Sequence, residues 1–599
     1  VRPRPDLHGS LSLLETSRLI RGLPDVEAAF AFKHSMVQQV AYESMLVQDR
    51  RDLHLRVGEI LESELGKAGP ELADVLSSHF EQAGRPDQAL RYARLAGEDS
   101  LRRFATAEAA QQFGRAIALA GEAGLEGAEL VSLYQGRGRA LELGADYPTA
   151  DALYQEMQRL GRETGDGAME LAGLTGAASL YAVPTILFDL DRALTLADRA
   201  LEISRELGDP EGETRALWLK LLAETRRDPE AAVRHGEAAL ELARKHGLSE
   251  QQAFILNDIG SNYFAVGQPG KAVEAITEAE PIWRRLENLP MLADNLATSA
   301  LILTFAGRYP EAAEKGRASL SISDRTGNLW GQSYGRVSLA IGLYGQGELG
   351  PAVQEMTRCI ELAEPAGFLY PLTSGRAVLA LAYGRAGALD LAQKTAEKVG
   401  EVERAHPMPG HVGAKSLLAW VAALRGDLAE AKRILEGAGL MSSYQSISLI
   451  ESPFAIIAAL IDYNLAAEDY RQALEVILLI QNQADSMGAS MFSPYFKMSV
   501  ARCRIGLGDV EEGRIHLEAA LQQLRRQGVE NGMWEAEGLL ADLAARDGRM
   551  EDARSMYRSS AGHARGIASG LAPLGLDSRF LALPTVRDIL DRAGEPAGG

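Results

Sequence analysis

Two cysteines in 599 residues, Cys359 and Cys503, far apart in the chain, leave no disulfide framework and no four-ligand zinc pattern. That scarcity points to a reducing, cytoplasmic setting. Positive charge is also short: 62 Lys and Arg stand against 82 Asp and Glu, a formal charge of -20. The first 60 residues hold eight charges of each sign, so the whole excess lies in the remainder. Such a surface repels phosphate backbones and anionic lipid, which argues against nucleic-acid and membrane-surface binding. Long apolar runs are missing too. The longest uncharged stretch, Leu171 to Phe188, is interrupted by Gly173, Gly176 and Pro184, so no membrane span is expected. No signal peptide opens the chain, and a first residue of Val1 predicts that the natural protein continues upstream.

Catalytic motifs are absent as well. No Gly-x-x-x-x-Gly-Lys-Ser/Thr loop occurs; the nearest string, Gly267-Gln268-Pro269-Gly270-Lys271-Ala272, has the wrong spacing for a phosphate cradle. There is no Gly-x-Ser-x-Gly elbow and no His-Glu-x-x-His helix. His406 and His411 are the one close pair of the ten histidines, but Pro407, Pro409 and Gly410 put them on a loop and not on one helix face. No catalytic, cofactor-binding or metal-ligating residue is assigned on these grounds.

What the chain has in abundance is Ala, Leu, Glu and Arg, all strong helix formers, set out in a repeat. A Gly followed by a polar or Pro/Tyr turn, then an Ala five residues later, recurs as Gly267 with Ala272, Gly307 with Ala312, Gly347 with Ala352, Gly387 with Ala392, Gly426 with Ala431 and Gly548 with Ala553. Looser copies stand at Ala105, Ala145, Phe188, Arg227, Glu468 and Gly508. The twelve junctions are 39 to 43 residues apart. A left-handed Gly ends one helix, and the small residue lets the next helix lie close against it. Seven residues further on comes a second small slot, Ala200, Ala239, Ala279, Ser319, Cys359, Ala438, Ala520 and Ser560. Cys359 is therefore read as packing, and Cys503, aligned with Leu222, Ile302 and Val421, likewise.

Gly307-Arg-Tyr-Pro-Glu-Ala312 and Gly426-Asp-Leu-Ala-Glu-Ala431 resemble the turn motif of the tetratricopeptide repeat family, and Tyr263 and Tyr383 occupy its aromatic position four residues before the turn. The resemblance covers about residues 70 to 580 and implies an all-α, right-handed α-solenoid of about twelve hairpins. Its period near 40 predicts helices longer than the family's usual 34-residue unit. Before the repeats, the alternating run Ala29-Phe30-Ala31-Phe32 suggests one strand, followed by Lys33-His34, Ala41-Tyr42 and Arg50-Arg51-Asp52-Leu53-His54. That series resembles the end of the winged-helix module in bacterial multidomain signal-transduction ATPases, such as those linked to class III adenylate or guanylate cyclases. The expected organisation is a winged-helix-like cap over residues 1–66, repeats over 67–565, and a closing helix with a disordered tail over 566–599.

In the resembled repeats the residue six before the turn faces the concave groove. Here that series includes Leu301, Ile341, Leu381, Trp420, Asp462, Arg502 and Asp542, with Tyr344 close by. It would form a groove apolar in the middle and charged toward the carboxyl end, with Trp420 and Tyr344 as aromatic anchors for a protein or peptide. The competing reading buries Leu301, Ile341 and Leu381 between repeats and is favoured for those three. Trp218, Trp283, Trp330 and Trp534 fall at different repeat positions, which suggests individual packing and no common role. The resemblance implies a regulatory sensor or scaffold arm whose ATP and Mg belong to upstream ATPase or cyclase domains. The alternatives are the regulatory part of a nucleotide cyclase and the ligand-sensing domain of an ATP-dependent transcription regulator.

Overall fold

The computed structural model describes residues 7–22, 30–68, 70–406, 412–441 and 453–594. Ala29, the loop carrying His411 and the tail 595–599 lie outside the described residues. Among the described residues the chain is helical apart from one two-stranded ribbon.

All twelve expected junctions fall between two packed antiparallel helices, from the hairpin 86–123 to the hairpin 530–571. The chain is a tetratricopeptide-like α-solenoid. Ten of the junctions carry a residue with positive φ: seven glycines from Gly267 to Gly548, and Phe104, Ala145 and Glu468 at the looser copies. The small residue five positions on is buried at every one of these, including Ala150, Ala272, Ala392 and Ala473 at 0% exposure. At the first junction the register moves by one. Phe104 takes the left-handed turn, so Ala109 and not Ala110 is the buried small residue. The second small slot also has a structural reason. Ser319 Oγ donates to the Ala293 carbonyl at 2.7 Å, Ser560 Oγ to that of Trp534 at 2.6 Å, and Cys359 Sγ to that of Ser333 at 3.2 Å. Where the slot is not Ala, its side chain reaches a carbonyl of the preceding helix. Burial pushes the Cys359 thiol up to about 12, in keeping with packing and not reactivity.

The two helices of a hairpin differ in kind. The first helix Leu289–Phe305 has Asp294 as its one charged residue and packs on both its hairpin partner and the next first helix, Leu329–Gln346. The second helix Tyr309–Thr326 buries one stripe and turns charges to solvent. First helices therefore form an inner layer and second helices an outer one. A second glycine landmark, less apparent in the sequence, ends many outer helices: Gly124, Gly165, Gly208, Gly247, Gly327, Gly367 and Gly528 all have positive φ.

The chain divides into two compact units, residues 1–173 and 174–599, whose boundary falls inside the helix Gly167–Ala182. In the first unit, strand Phe30–Phe32 pairs antiparallel with Ile20–Gly22, a partner the sequence pattern missed because three residues offer too little alternation. Helices Ser35–Glu43 and Val47–Ala68 follow. Tyr42 and His54, two landmarks of the cap, meet at 2.9 Å, and His54 Nδ1 lies 2.9 Å from Nδ1 of His79 on the next helix. Burial, with the neighbouring His79 and Arg50, holds the His54 imidazole below its ordinary value. A further turn at Gly84, with buried Ala89, precedes the first expected junction by about half a period, so helix Pro86–Arg102 belongs to two successive hairpins. The expected boundary after residue 66 falls within helix Val47–Ala68.

In the second unit, hairpins four or five places apart touch one another. The Leu369 N–H donates to the Pro184 carbonyl at 2.9 Å, and Ser490 Oγ to that of Ala306 at 2.6 Å. Arg579 pairs with Asp390. Phe305 packs at a tilt against both Phe454 and Phe492. The turn glycine Gly347, at φ 87, abuts Asn531, and Gly350 lies against the Gly570 carbonyl. Helix Met550–Leu571 runs through Gly566, so the expected boundary after residue 565 falls inside it, and the closing helix Pro584–Arg592 seals the last hairpin through Val586, Ile589 and Leu590.

A Cβ at Gly350 collides with backbone that cannot swing aside, so Gly350→Ala is expected to lower the unfolding free energy by about 1–3 kcal/mol. Gly562, on the helix Met550–Leu571 that Gly350 abuts but with open space around it, serves as control: Gly562→Ala is expected to raise stability by up to about 1 kcal/mol. Denaturant midpoints of both variants check this, and a Gly350→Ala protein as stable as the parent would show that the contact between distant hairpins does not form.

Candidate functional site

Four members of the series six before each turn, and Tyr344 beside them, are not open to a ligand in a common groove. Ile341, Leu381 and Trp420 are buried at 3%, 1% and 0% exposure. Leu301 and Tyr344 are half-buried against the same cluster as Phe454, which comes from an inner helix several hairpins away. Distant hairpins cover this end of the inner layer, an effect that local period cannot reveal. Asp462 accepts from Trp420 Nε1 at 2.8 Å and from Tyr495 OH at 2.7 Å, and pairs with Arg385 at 3.2 Å. Arg502 is exposed and pairs with Glu535 at 3.3 Å. Asp542 accepts from Tyr557 OH at 2.5 Å and Arg592 at 2.7 Å, where the closing helix meets the last hairpin.

Partly open side chains lie along the first and middle turns of four consecutive inner helices, Pro210–Glu224, Ser249–Ala265, Leu289–Phe305 and Leu329–Gln346, and at Tyr370 ahead of the helix Arg376–Arg385. The repeat places them in rows. Trp218 and Asp258 stand nine residues before their junctions; Phe254, Asp294 and Tyr334 stand thirteen before; Trp330 and Tyr370 stand seventeen before. Each row is one helical turn from the next, so all share one face. All seven side chains are half-buried, surrounded by protein but keeping some surface in solvent.

Hydrogen bonds tie the rows across hairpins. Trp218 Nε1 donates to Asp258 Oδ2 at 2.7 Å, and Trp330 Nε1 to Asp294 Oδ1 at 2.9 Å. Asn257 Nδ2 donates to Asp294 Oδ2 at 2.9 Å, and Asn295 Nδ2 to Asn257 Oδ1 at 3.1 Å. Tyr334 OH lies 3.2 Å from Thr298 Oγ1. Rings line the remainder: Trp330 stacks on Tyr334 with centroids 5.6 Å apart, Tyr334 meets Tyr370 edge-on at 5.8 Å, and Trp218 leans on Phe254 at 5.3 Å. With Trp420 and Asp462, three indoles thus share one role, donation to an aspartate on a neighbouring inner helix. The tryptophans' common role is not visible in their own repeat positions, which differ; it lies in their partners. The spacing of 36 to 42 residues between each Trp and its Asp was the available signal.

Electrostatics set Asp258 and Asp294 apart from Asp462. Burial raises the Asp258 carboxyl to about 7, against the opposing Trp218 bond and with the help of nearby Asp294, and burial raises Asp294 too. Burial pushes the Tyr334 phenol well above its ordinary value, with Tyr370, Asp294 and Asp258 adding to the effect. Among the described residues neither aspartate has a Lys, Arg or His ion-pair partner. No group of three or more potential metal ligands occurs among the described residues, and no described helix is long and apolar enough to cross a membrane.

No family model matches the chain. An uncharacterized protein of Rhizobium meliloti (strain 1021) is 31% identical over 111 residues, covering 18% of this chain and 11% of that protein. The chain therefore spans about a tenth of the length of the curated relative it matches. Among solved structures, a Rap protein complexed with Competence and Sporulation Factor is 15% identical, with 67% of this chain and 100% of that one covered and a TM-score of 0.42. A signal-transduction ATPase with numerous domains and a tetratricopeptide repeat sensor, from Pyrococcus horikoshii, is 15% identical, with 76% and 61% covered and a TM-score of 0.37. The Cut9-Hcn1 hetero-tetramer of the APC/C is 14% identical, with 87% and 98% covered and a TM-score of 0.42. Likenesses this loose carry no functional weight.

The raised carboxyl has a definite stability signature. Folded Asp258 keeps its proton up to pH about 7, whereas the unfolded chain releases it near 3.8, so between those values folding takes up a proton and stability falls as pH rises. Asp258→Asn can still accept from Trp218 but carries no charge. It is expected to raise the urea midpoint at pH 8, with the advantage shrinking toward pH 4; a pH-independent difference would count against a strained carboxylate.

Proposed function

We propose that this chain is a regulatory protein-interaction scaffold, the sensor arm of a larger bacterial signal-transduction ATPase of the cyclase-linked kind, working in the cytoplasm. The observation that carries the scaffold reading is the partly open face on four consecutive inner helices, where polar and aromatic side chains repeat at the hairpin spacing. Such a surface suits an extended segment that crosses successive hairpins, taking one contact from each. A partner that favours one curvature of the array would bias it, and the cap would pass that bias to the upstream domains. The link to an ATPase and a cyclase rests on the cap residues Lys33-His34, Ala41-Tyr42 and Arg51 to His54 followed by repeats. On this reading ATP and Mg are bound upstream, and no catalysis belongs to residues 1–599. The regulatory part of a cyclase enzyme and the sensing domain of a transcription regulator are the same scaffold attached to different upstream domains.

Selection of a displayed random peptide library on the purified chain tests the scaffold. Binders are expected whose affinity drops at least tenfold in Trp330→Ala or Tyr334→Ala; recovery of no binder, or binders indifferent to both variants, would defeat it. For the attachment, the full-length gene product is expected to turn over ATP at a rate altered by a selected peptide, while residues 1–599 alone show no turnover. A full-length protein without nucleotide hydrolysis would remove the ATPase link and leave the scaffold standing.

A further inference from the structure

Among the described residues the chain contains the same indole-aspartate arrangement once with a paired cation and twice without one. At Asp462 the carboxylate accepts from Trp420 and Tyr495, and the Arg385 guanidinium completes the group, 3.2 Å from Asp462 Oδ2 and 5.5 Å from the centroids of both Trp420 and Tyr495. Arg385 stays charged there, because Asp462 together with Tyr495, Tyr344 and Glu535 outweighs the cost of its burial. Cation, carboxylate and two ring faces form one closed set. At Asp258 and Asp294 the carboxylates, the indoles Trp218 and Trp330, and the phenols Tyr334 and Tyr370 are all present, but among the described residues no Lys, Arg or His pairs with them.

The missing charge does not come from the undescribed stretches of the same unit. Residues 407–411 and 442–452 and the tail 595–599 contain no lysine and no arginine. Asp294 raises the proton affinity of Asp258, and these two half-buried aspartates, held among aromatic rings, have an electrostatic deficit that a cation from outside would relieve. A guanidinium fits better than an ammonium. Its planar fork offers several donors to two carboxylates at once, and its faces stack on indole and phenol, as Arg385 does in the same protein.

Resting on the scaffold reading above, we propose that Asp258 and Asp294, flanked by Trp218, Trp330 and Tyr334, receive an arginine side chain of the partner segment. The arginine is to this site what Arg385 is to Asp462. This sets the partner's chemistry: an extended peptide segment with an arginine, whose flanking residues lie along the neighbouring inner helices.

The test is a positional-scanning octapeptide library, bound to the full chain at fixed ionic strength and sequenced from the retained pool. Arginine is expected to be enriched at one position, and its replacement by citrulline in a retained peptide to weaken binding at least tenfold. The double variant Asp258→Asn/Asp294→Asn keeps acceptors for both indoles and is expected to lose the arginine preference while still retaining peptides. Glu241→Gln/Glu274→Gln, which removes two exposed charges from outer helices, controls for net charge and is expected to keep the preference. A retained pool with no arginine preference, or a preference that survives the aspartate variant, overturns this inference and leaves the scaffold reading intact. Failure to retain any peptide overturns the scaffold reading, and this inference with it.

Discussion

Close approach of two helices at a fixed interval is the constraint on which the remainder of this structure depends. A buried small residue five positions after the turn, alanine at all but Gly513, brings the outer helix down onto the inner one, and a second small slot seven residues later keeps it there. Neither helix of a pair can bury its apolar surface alone, so each hairpin is completed by its neighbours. The middle inner helices, such as Leu289–Phe305 and Pro453–Ala466, packed on their partners and on one another, are apolar nearly all round. A charged residue on such a helix stands out physically as well as visually, because it must be satisfied locally or remain strained.

That contrast explains why four aspartates on inner helices hold the chemistry of the second unit. Asp462 is satisfied by Arg385, and Asp542 by Arg592 of the closing helix. Asp258 and Asp294 receive only neutral donors from indoles and an amide. The cost of keeping them is visible in carboxyls that burial pushes above their ordinary value, Asp258 to about 7. Stability alone would not favour such an arrangement; recognition of a positively charged partner would.

Contacts between hairpins four or five places apart add a second level of order. They cover the carboxyl ends of the middle inner helices, around Leu301, Ile341 and Tyr344, and leave the amino ends more open. The inner face is in this way divided between core and accessible surface by packing at long range. Gly347 and Gly350 serve both levels: one ends a helix in the left-handed conformation, and both leave room for a distant hairpin to approach.

The repeat, the junctions, the packing role of both cysteines and the all-α class were legible in the sequence, because a turn and a helix–helix contact are encoded within a single hairpin. Even there the loosest copy slipped by one residue, from Ala109 to Ala110, where a phenylalanine and not a glycine makes the turn. The short strand Ile20–Gly22 and the early turn at Gly84 were missed, the first for want of length and the second for breaking the period. Only the tertiary structure decided which inner residues are core and which are accessible. The burial of Trp420 and Leu381, the cover over Ile341, and the pairing of Trp218, Trp330 and Trp420 with aspartates of neighbouring helices all depend on contacts between hairpins. A local pattern fixes the direction in which a side chain leaves its helix; what stands in front of it is set by the winding of the whole second unit.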